Sequence, residues 1–148
     1  MAKRVTAKKR AEVTERARRL CEYCLSPARF AMQPLSVEHI NPRQKGGDNA
    51  LDNLALASQG CNGPKHTKTT GLDPLTERSV PLYHPRQQKW SDHFAWSADF
   101  TRVIGLTPTG RASVHVLELN REGLVNLREA LHALGHHPPG EREGSDLL

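Results

Sequence analysis

No apolar run in this 148-residue chain approaches the ~20 residues that a membrane-spanning helix requires. The basic N-terminus, MAKRVTAKKR, lacks the apolar segment of a secretory signal. These two absences set the expectation of a cytoplasmic protein with no membrane association. Hydrophobic residues make up only 36% and the mean hydropathy is −0.62, so the core must be lean. There are only three cysteines, Cys21, Cys24 and Cys61. An odd count in a reducing compartment argues against a disulfide framework and for metal ligation or free thiols. No H-E-x-x-H is present, which counts against a zinc hydrolase of that type. There is no internal repeat.

Positive charge is abundant and unevenly placed. The formal net charge is +5 and the isoelectric point is near 9.4. Lys3, Arg4, Lys8, Lys9, Arg10, Arg16, Arg18 and Arg19 all precede the first cysteine, opposed there only by Glu12 and Glu15. Clustered basic side chains are the footprint of a polyanion partner. A solvated helix face that aids solubility is the structural alternative.

The length suits one domain. We expect it over 1–136, with a core at about 18–70, an extension at about 71–136 and a disordered tail at 137–148. A helix is predicted from about Thr6 to Leu20, capped by Thr6, with Val13, Ala17 and Leu20 on one face. Residues 30–40 read as an irregular hairpin arm interrupted by Pro34, with Val37 and Ile40 buried. Residues 42–49 (PRQKGGDN) form a loop whose two glycines can take positive φ. Leu51, Leu54 and Leu56 surround Asn53 and anchor it. A short helix is expected to start at Cys61, because Pro64 is tolerable only within the first turn.

Residues 72–96, rich in proline and aromatics, should wrap the core as an ordered arm. Trp90, Phe94 and Trp96 then belong to that arm, with His84 and His93 packed beneath it. A strand at 100–106 and helices at about 109–119 and 122–134 follow, the last with Leu124, Leu127, Leu131 and Leu134 at helical spacing. His115, His132, His136 and His137 are assigned to the surface or the tail.

The chemistry concentrates in one polar run, residues 36–69 (SVEHINPRQKGGDNALDNLALASQGCNGPKHTKT). Cys21-x-x-Cys24 is a zinc-knuckle spacing. Where a second such pair would complete four ligands, the chain reads Ser58-Gln59-Gly60-Cys61, and a serine hydroxyl is a poor zinc ligand beside thiolate. Three cysteines therefore form an incomplete structural Zn2+ set. Hydrolysis of a phosphodiester needs an activated water and stabilisation of the leaving oxygen. His39 is suited to take a proton near neutral pH. Glu38 and Asn62 offer hard oxygens for Mg2+ or Mn2+. Asn53 could accept the imidazole's second N–H. Adjacent strand residues face opposite sides, so Glu38 and His39 share a site only if the strand ends there. Lys65 and His66 follow Asn62 at helical spacing and would bind phosphate. Singly, each residue has a structural explanation, such as a turn for Asn53 or a helix cap for Asn62.

Taken in order, CEYC, VEHINPRQKGG, DNLALA and CNGPKH resemble the HNH endonuclease family in its ββα-metal form, over about residues 18–70. The segment DPLTERSVPLYHPRQQKWSDHFAW is similar to the extension of bacterial single-domain members. The resemblance implies an α+β fold: a basic N-terminal helix, a ββα-metal core, then a C-terminal strand and helices. It implies a metal-dependent endonuclease acting on double-stranded DNA. By resemblance His39 is the general base, Asn53 its orienting group, and Glu38 and Asn62 the ligands of the catalytic cation. Arg18, Arg19, Arg43, Lys45, Lys65, His66 and Lys68 would hold the backbone. Glu38 stands where aspartate is more usual, and Ser58 where a zinc cysteine is usual. The competing expectation is a non-catalytic, DNA-binding zinc-knuckle module. A monomer with one site would nick one strand, whereas a homodimer would carry two sites.

Overall fold

A computed structural model describes residues 4–140. Helix α1 (Ala7–Arg16) begins where the Thr6 hydroxyl accepts the Lys9 amide at 3.2 Å. It ends four residues before the predicted boundary, because Arg18 and Arg19 turn the chain with φ of 60° and 58°. Its buried Val13 and the capping Ala17 just after it pack with Val5, Leu54 and Leu56 in a small core.

The central unit is a hairpin and a helix. Strand β1 (Ser36–His39) pairs antiparallel with β2 (Leu54–Ala57), in the register Val37 with Leu56 and His39 with Leu54. The strand is shorter than the expected arm. Every residue of β2 is buried, while Glu38 is the buried position of β1. Helix α2 (Gln59–Lys65) follows directly. It starts before Cys61 and holds Pro64 near its end, correcting the expectation that this proline must lie in the first turn. The missing Pro64 N–H costs one bond in a helix of only seven residues.

The C-terminal part supplies most of the remaining core. Strands β3 (Thr70–Leu72) and β4 (Ser79–Pro81) form one antiparallel pair. After the short helix α3 (Trp90–His93), β5 (Phe94–Trp96) and β6 (Val103–Gly105) form another. The predicted strand at 100–106 is thus the three-residue β6, and the wrapping arm contains strands of its own. Helix α4 (Pro108–Val116) is capped by Thr107, whose hydroxyl accepts the Gly110 amide at 3.0 Å, and has proline at its start. Helix α5 (Glu122–Ala133) closes the fold.

Helix α5 departs from its predicted apolar stripe. Leu124 and Leu131 are buried, but Leu134 is exposed and Arg128 lies inside. The Arg128 guanidinium donates to the carbonyls of Thr101 at 2.9 Å and Leu119 at 2.8 Å, which is what allows a charge there. His137, assigned to a disordered tail, is likewise buried. Its ring packs 4.5 Å from Trp96, and its Nε2 lies 2.8 Å from the Phe100 carbonyl. The rest of the proposed tail beyond residue 140 lies outside the described residues, as do residues 1–3. No helix among the described residues is long and apolar enough to cross a membrane. Five α-helices and three two-stranded antiparallel sheets make the described fold α+β, with β1, β2 and α2 as a ββα unit.

Candidate active site and cysteine cluster

The CEYC turn is fastened to the hairpin by backbone and side chain. The Glu22 amide donates to the Leu56 carbonyl and the Leu56 amide to the Glu22 carboxylate, both at 2.9 Å. Arg86, from the aromatic arm, also bonds Glu22. The Trp90 indole donates to the Tyr23 carbonyl at 2.9 Å, laying the arm over the knuckle. Trp90, Phe94 and Trp96 stack within the arm, and His93 bonds Thr107.

This fastening brings Cys21, Cys24 and Cys61 together. Their sulfurs lie within 4.8 Å of one another and all three residues are buried. The Cys24 amide donates to the Cys21 sulfur at 3.4 Å, a turn in which a backbone N–H faces the sulfur. Hydrogen bonds from Cys21 and Cys61 hold the Cys24 thiol well below its usual range, whereas burial pushes that of Cys21 up. Ser58 Oγ stands 3.7 Å from Cys24 Sγ, and the Arg121 guanidinium reaches Cys61 Sγ at 3.5 Å. Arg121 fits there because residue 60 is glycine; a Cβ would stand 2.5 Å from the guanidinium. Three soft donors converging in a sealed pocket fit a thiophilic cation such as Zn2+. Cys21, Cys24 and Cys61 would hold it, with Ser58 beside them.

Around His39 the arrangement differs from expectation. Glu38 points into the protein. One carboxylate oxygen accepts from the Tyr23 hydroxyl, and the other from Lys65 Nζ at 3.2 Å. Burial raises the Glu38 carboxyl above its usual range, against the pull of Lys65 and Tyr23. His39, next along β1, is half-buried and faces the other way, as strand alternation requires. Asn62 lies on α2. Among the described residues the cysteine trio is the one group of three or more His, Cys, Asp or Glu side chains close enough to share an ion. Both Glu38 carboxylate oxygens are thus engaged by Tyr23 and Lys65.

Asn53 does not reach the His39 ring either. Its amide accepts from the Asn41 amide at 2.8 Å and donates to the carbonyls of Asn41 at 3.0 Å and Asp48 at 2.9 Å. It ties the two ends of the 41–48 loop together. The glycines of that loop serve different needs. Gly46 takes φ 91°, whereas at Gly47 a Cβ would stand 1.7 Å from the Asn41 carbonyl oxygen. The residue that meets His39 is Asn49, with Oδ1 2.7 Å from Nε2. Nothing in residue type separated Asn49 from Asn53; the GGDN sequence placed it in the loop, and only the fold turned it to the histidine. Tyr23, inside CEYC, was likewise missed.

The basic residues divide. Lys65 is buried, bonded to Glu38 and to the Ile40 carbonyl at 3.0 Å, so it is not available to phosphate in this arrangement. His66 leaves the helix with φ 46° and is exposed, so Asn62, Lys65 and His66 do not share a face. Arg43, Lys45 and Lys68 are exposed. Arg19 is exposed and pairs with Glu15 at 2.7 Å, and Arg18 bonds the Gly140 carbonyl. Lys9 bonds the Asn49 carbonyl at 2.7 Å, which sets the basic helix α1 against the loop beside His39.

No curated protein and no solved structure matches the chain. Residues 21–68 match the family model described as HNH endonuclease, a span that runs from the cysteine knuckle through the hairpin to the end of α2. The ββα unit, His39 and the cysteine cluster all lie within this span, so this part of the chain is similar to HNH endonucleases.

Proposed function

We propose that this protein is an endonuclease that hydrolyses phosphodiester bonds of double-stranded DNA, with His39 as general base. The observation that carries this is His39 itself. It sits half-exposed at the end of β1, one nitrogen held at 2.7 Å by Asn49 and the other without a hydrogen-bond partner among the described residues. An oriented neutral imidazole with one free lone pair is suited to take a proton from water. The water oxygen bonds to phosphorus, the bond from phosphorus to the 3′ oxygen breaks, and that oxygen leaves as a hydroxyl after gaining a proton. The products are 5′-phosphate and 3′-hydroxyl ends.

Exposed Arg43, Lys45, Lys68 and Arg19, with the partly exposed Arg18 and helix α1, are suited to hold the backbone by charge, so binding should weaken steeply with salt. The HNH relationship implies a divalent cation, Mg2+ or Mn2+. Because Glu38 is committed to Tyr23 and Lys65, no step is assigned to a cation on it. A monomer with one site nicks; two paired copies would cut both strands.

The same commitment of Glu38 favours a second reading, a DNA-binding module without catalysis. Supercoiled plasmid incubated with the protein and Mg2+, Mn2+ or EDTA separates the two. Cutting by wild type with a divalent cation, lost in His39→Ala while DNA binding persists, supports the nuclease. Equal binding by both proteins with no cutting under any cation supports the module.

A further inference from the structure

We propose that Asn49 is the positioning residue for His39: its side-chain carbonyl holds the imidazole with the hydrogen on Nε2 and leaves Nδ1 as the proton-accepting nitrogen. This rests on the hydrolytic reading of His39.

The argument begins with Arg43. Its guanidinium lies 3.1 Å from the same Asn49 Oδ1 that meets His39 Nε2 at 2.7 Å. Amide oxygen and nitrogen are assigned from their partners. A guanidinium can only donate, so the atom it faces is the oxygen. That oxygen can only accept from His39 as well, so Nε2 carries the hydrogen. In a neutral imidazole the lone pair is then on Nδ1, the nitrogen with no partner among the described residues.

Asn49 is itself held from a second direction. Lys9, forty positions earlier on α1, donates to its backbone carbonyl at 2.7 Å. Asn53 fixes the neighbouring Asp48 carbonyl at 2.9 Å. Backbone and amide are thus located independently, which is what a group that orients another requires. The labour divides between two asparagines: Asn53 ties the loop, and Asn49 sets the ring.

The decisive experiment is a long-range proton–nitrogen NMR spectrum of the 15N-labelled full chain, with His39 signals assigned by their loss in His39→Gln. Wild type is expected to show the Nε2-H form at His39. Asn49→Ala should shift it towards Nδ1-H. Asn49→Asp, which keeps an acceptor, should restore Nε2-H. On plasmid, Asn49→Ala should lower turnover roughly 10-fold to 100-fold, the range for groups that orient a functional imidazole. DNA affinity should be unchanged, and Asn49→Asp should recover most of the loss.

An Nδ1-H form in wild type overturns the proposal, and needs no variant to fold. So does an Asn49→Ala protein with unchanged tautomer and turnover. If His39→Ala cuts as well as wild type, the hydrolytic reading alone fails, and the tautomer spectrum still decides whether Asn49 sets the ring.

Discussion

Lys65 Nζ lies 3.2 Å from Glu38 Oε1 within the core, with only 2% and 4% of the two side chains exposed. Tyr23 closes the second carboxylate oxygen, and the Ile40 carbonyl takes another Lys65 proton. A buried pair of this kind contributes little over an apolar pair, but removing one member strands the other charge. Its structural effect is to clamp the end of β1 to the end of α2. Glu38→Ala or Lys65→Met alone should destabilise the protein by roughly 3–5 kcal/mol. The double change Glu38→Leu with Lys65→Met should recover most of that. Urea denaturation of the four proteins measures it; single variants as stable as wild type would show that the clamp does not hold the fold.

The cysteine trio should bind zinc. Purified protein is expected to carry a single Zn2+ by elemental analysis, and a strong chelator should lower its melting temperature. Cys21→Ser should abolish binding, because a third thiolate is lost from an already incomplete set. Ser58→Cys should tighten it, since thiolate replaces a weak hydroxyl 3.7 Å from Cys24. Equal zinc affinity in Ser58→Cys and wild type would place residue 58 outside the coordination.

The loop at 41–48 depends on Asn53. Asn53→Ala removes one acceptor and two donors that face backbone groups, and should cost about 1–3 kcal/mol. Asn53→Asp keeps the acceptor but places negative charge against two carbonyls, so it should be no better. Gly47→Ala should act in the same direction, because its methyl would meet the Asn41 carbonyl. Chemical denaturation gives the order, and a neutral Asn53→Asp would contradict it.

Asp73 accepts two bonds from Arg111 at 2.9 Å, one on each oxygen, and holds Thr76 and Leu75 in the turn between β3 and β4. The Arg111 guanidinium keeps its carboxyl well below the usual carboxylate range. A depressed carboxyl stabilises the fold above its unfolded pKa, and that stability is lost as pH falls through the folded value. The stability gap between wild type and Asp73→Asn should therefore be constant above about pH 5 and narrow below about pH 4. Denaturation midpoints from pH 3 to 7 read it, and a gap that widens in acid would refute it.

Much of the fold was legible because its signals are local. Thr6 caps α1 with the hydroxyl that the sequence predicts, and Leu54 and Leu56, expected to anchor Asn53, are buried. The two-residue gap between Cys21 and Cys24 reported that their sulfurs converge, and the fold brings Cys61 to them. Boundaries were less legible. Left-handed Arg18 and Arg19 stop α1 although arginine favours helix, because the chain must turn towards the knuckle.

The sequence by itself determined the cysteine knuckle and the excess of basic residues near it, while the ββα order was implied by the family resemblance. Those features depend on residue type and short spacing. The tertiary structure alone decided which polar groups meet. Lys65 reads as a phosphate ligand until Glu38, twenty-seven positions earlier, is folded against it. Asn49 and Asn53 are the same residue four positions apart, and the loop's path assigns one to His39 and the other to the backbone. The facing of a side chain is a property of three-dimensional closure. Desolvation then decides its chemistry, because a buried charge must find a partner and an exposed one need not.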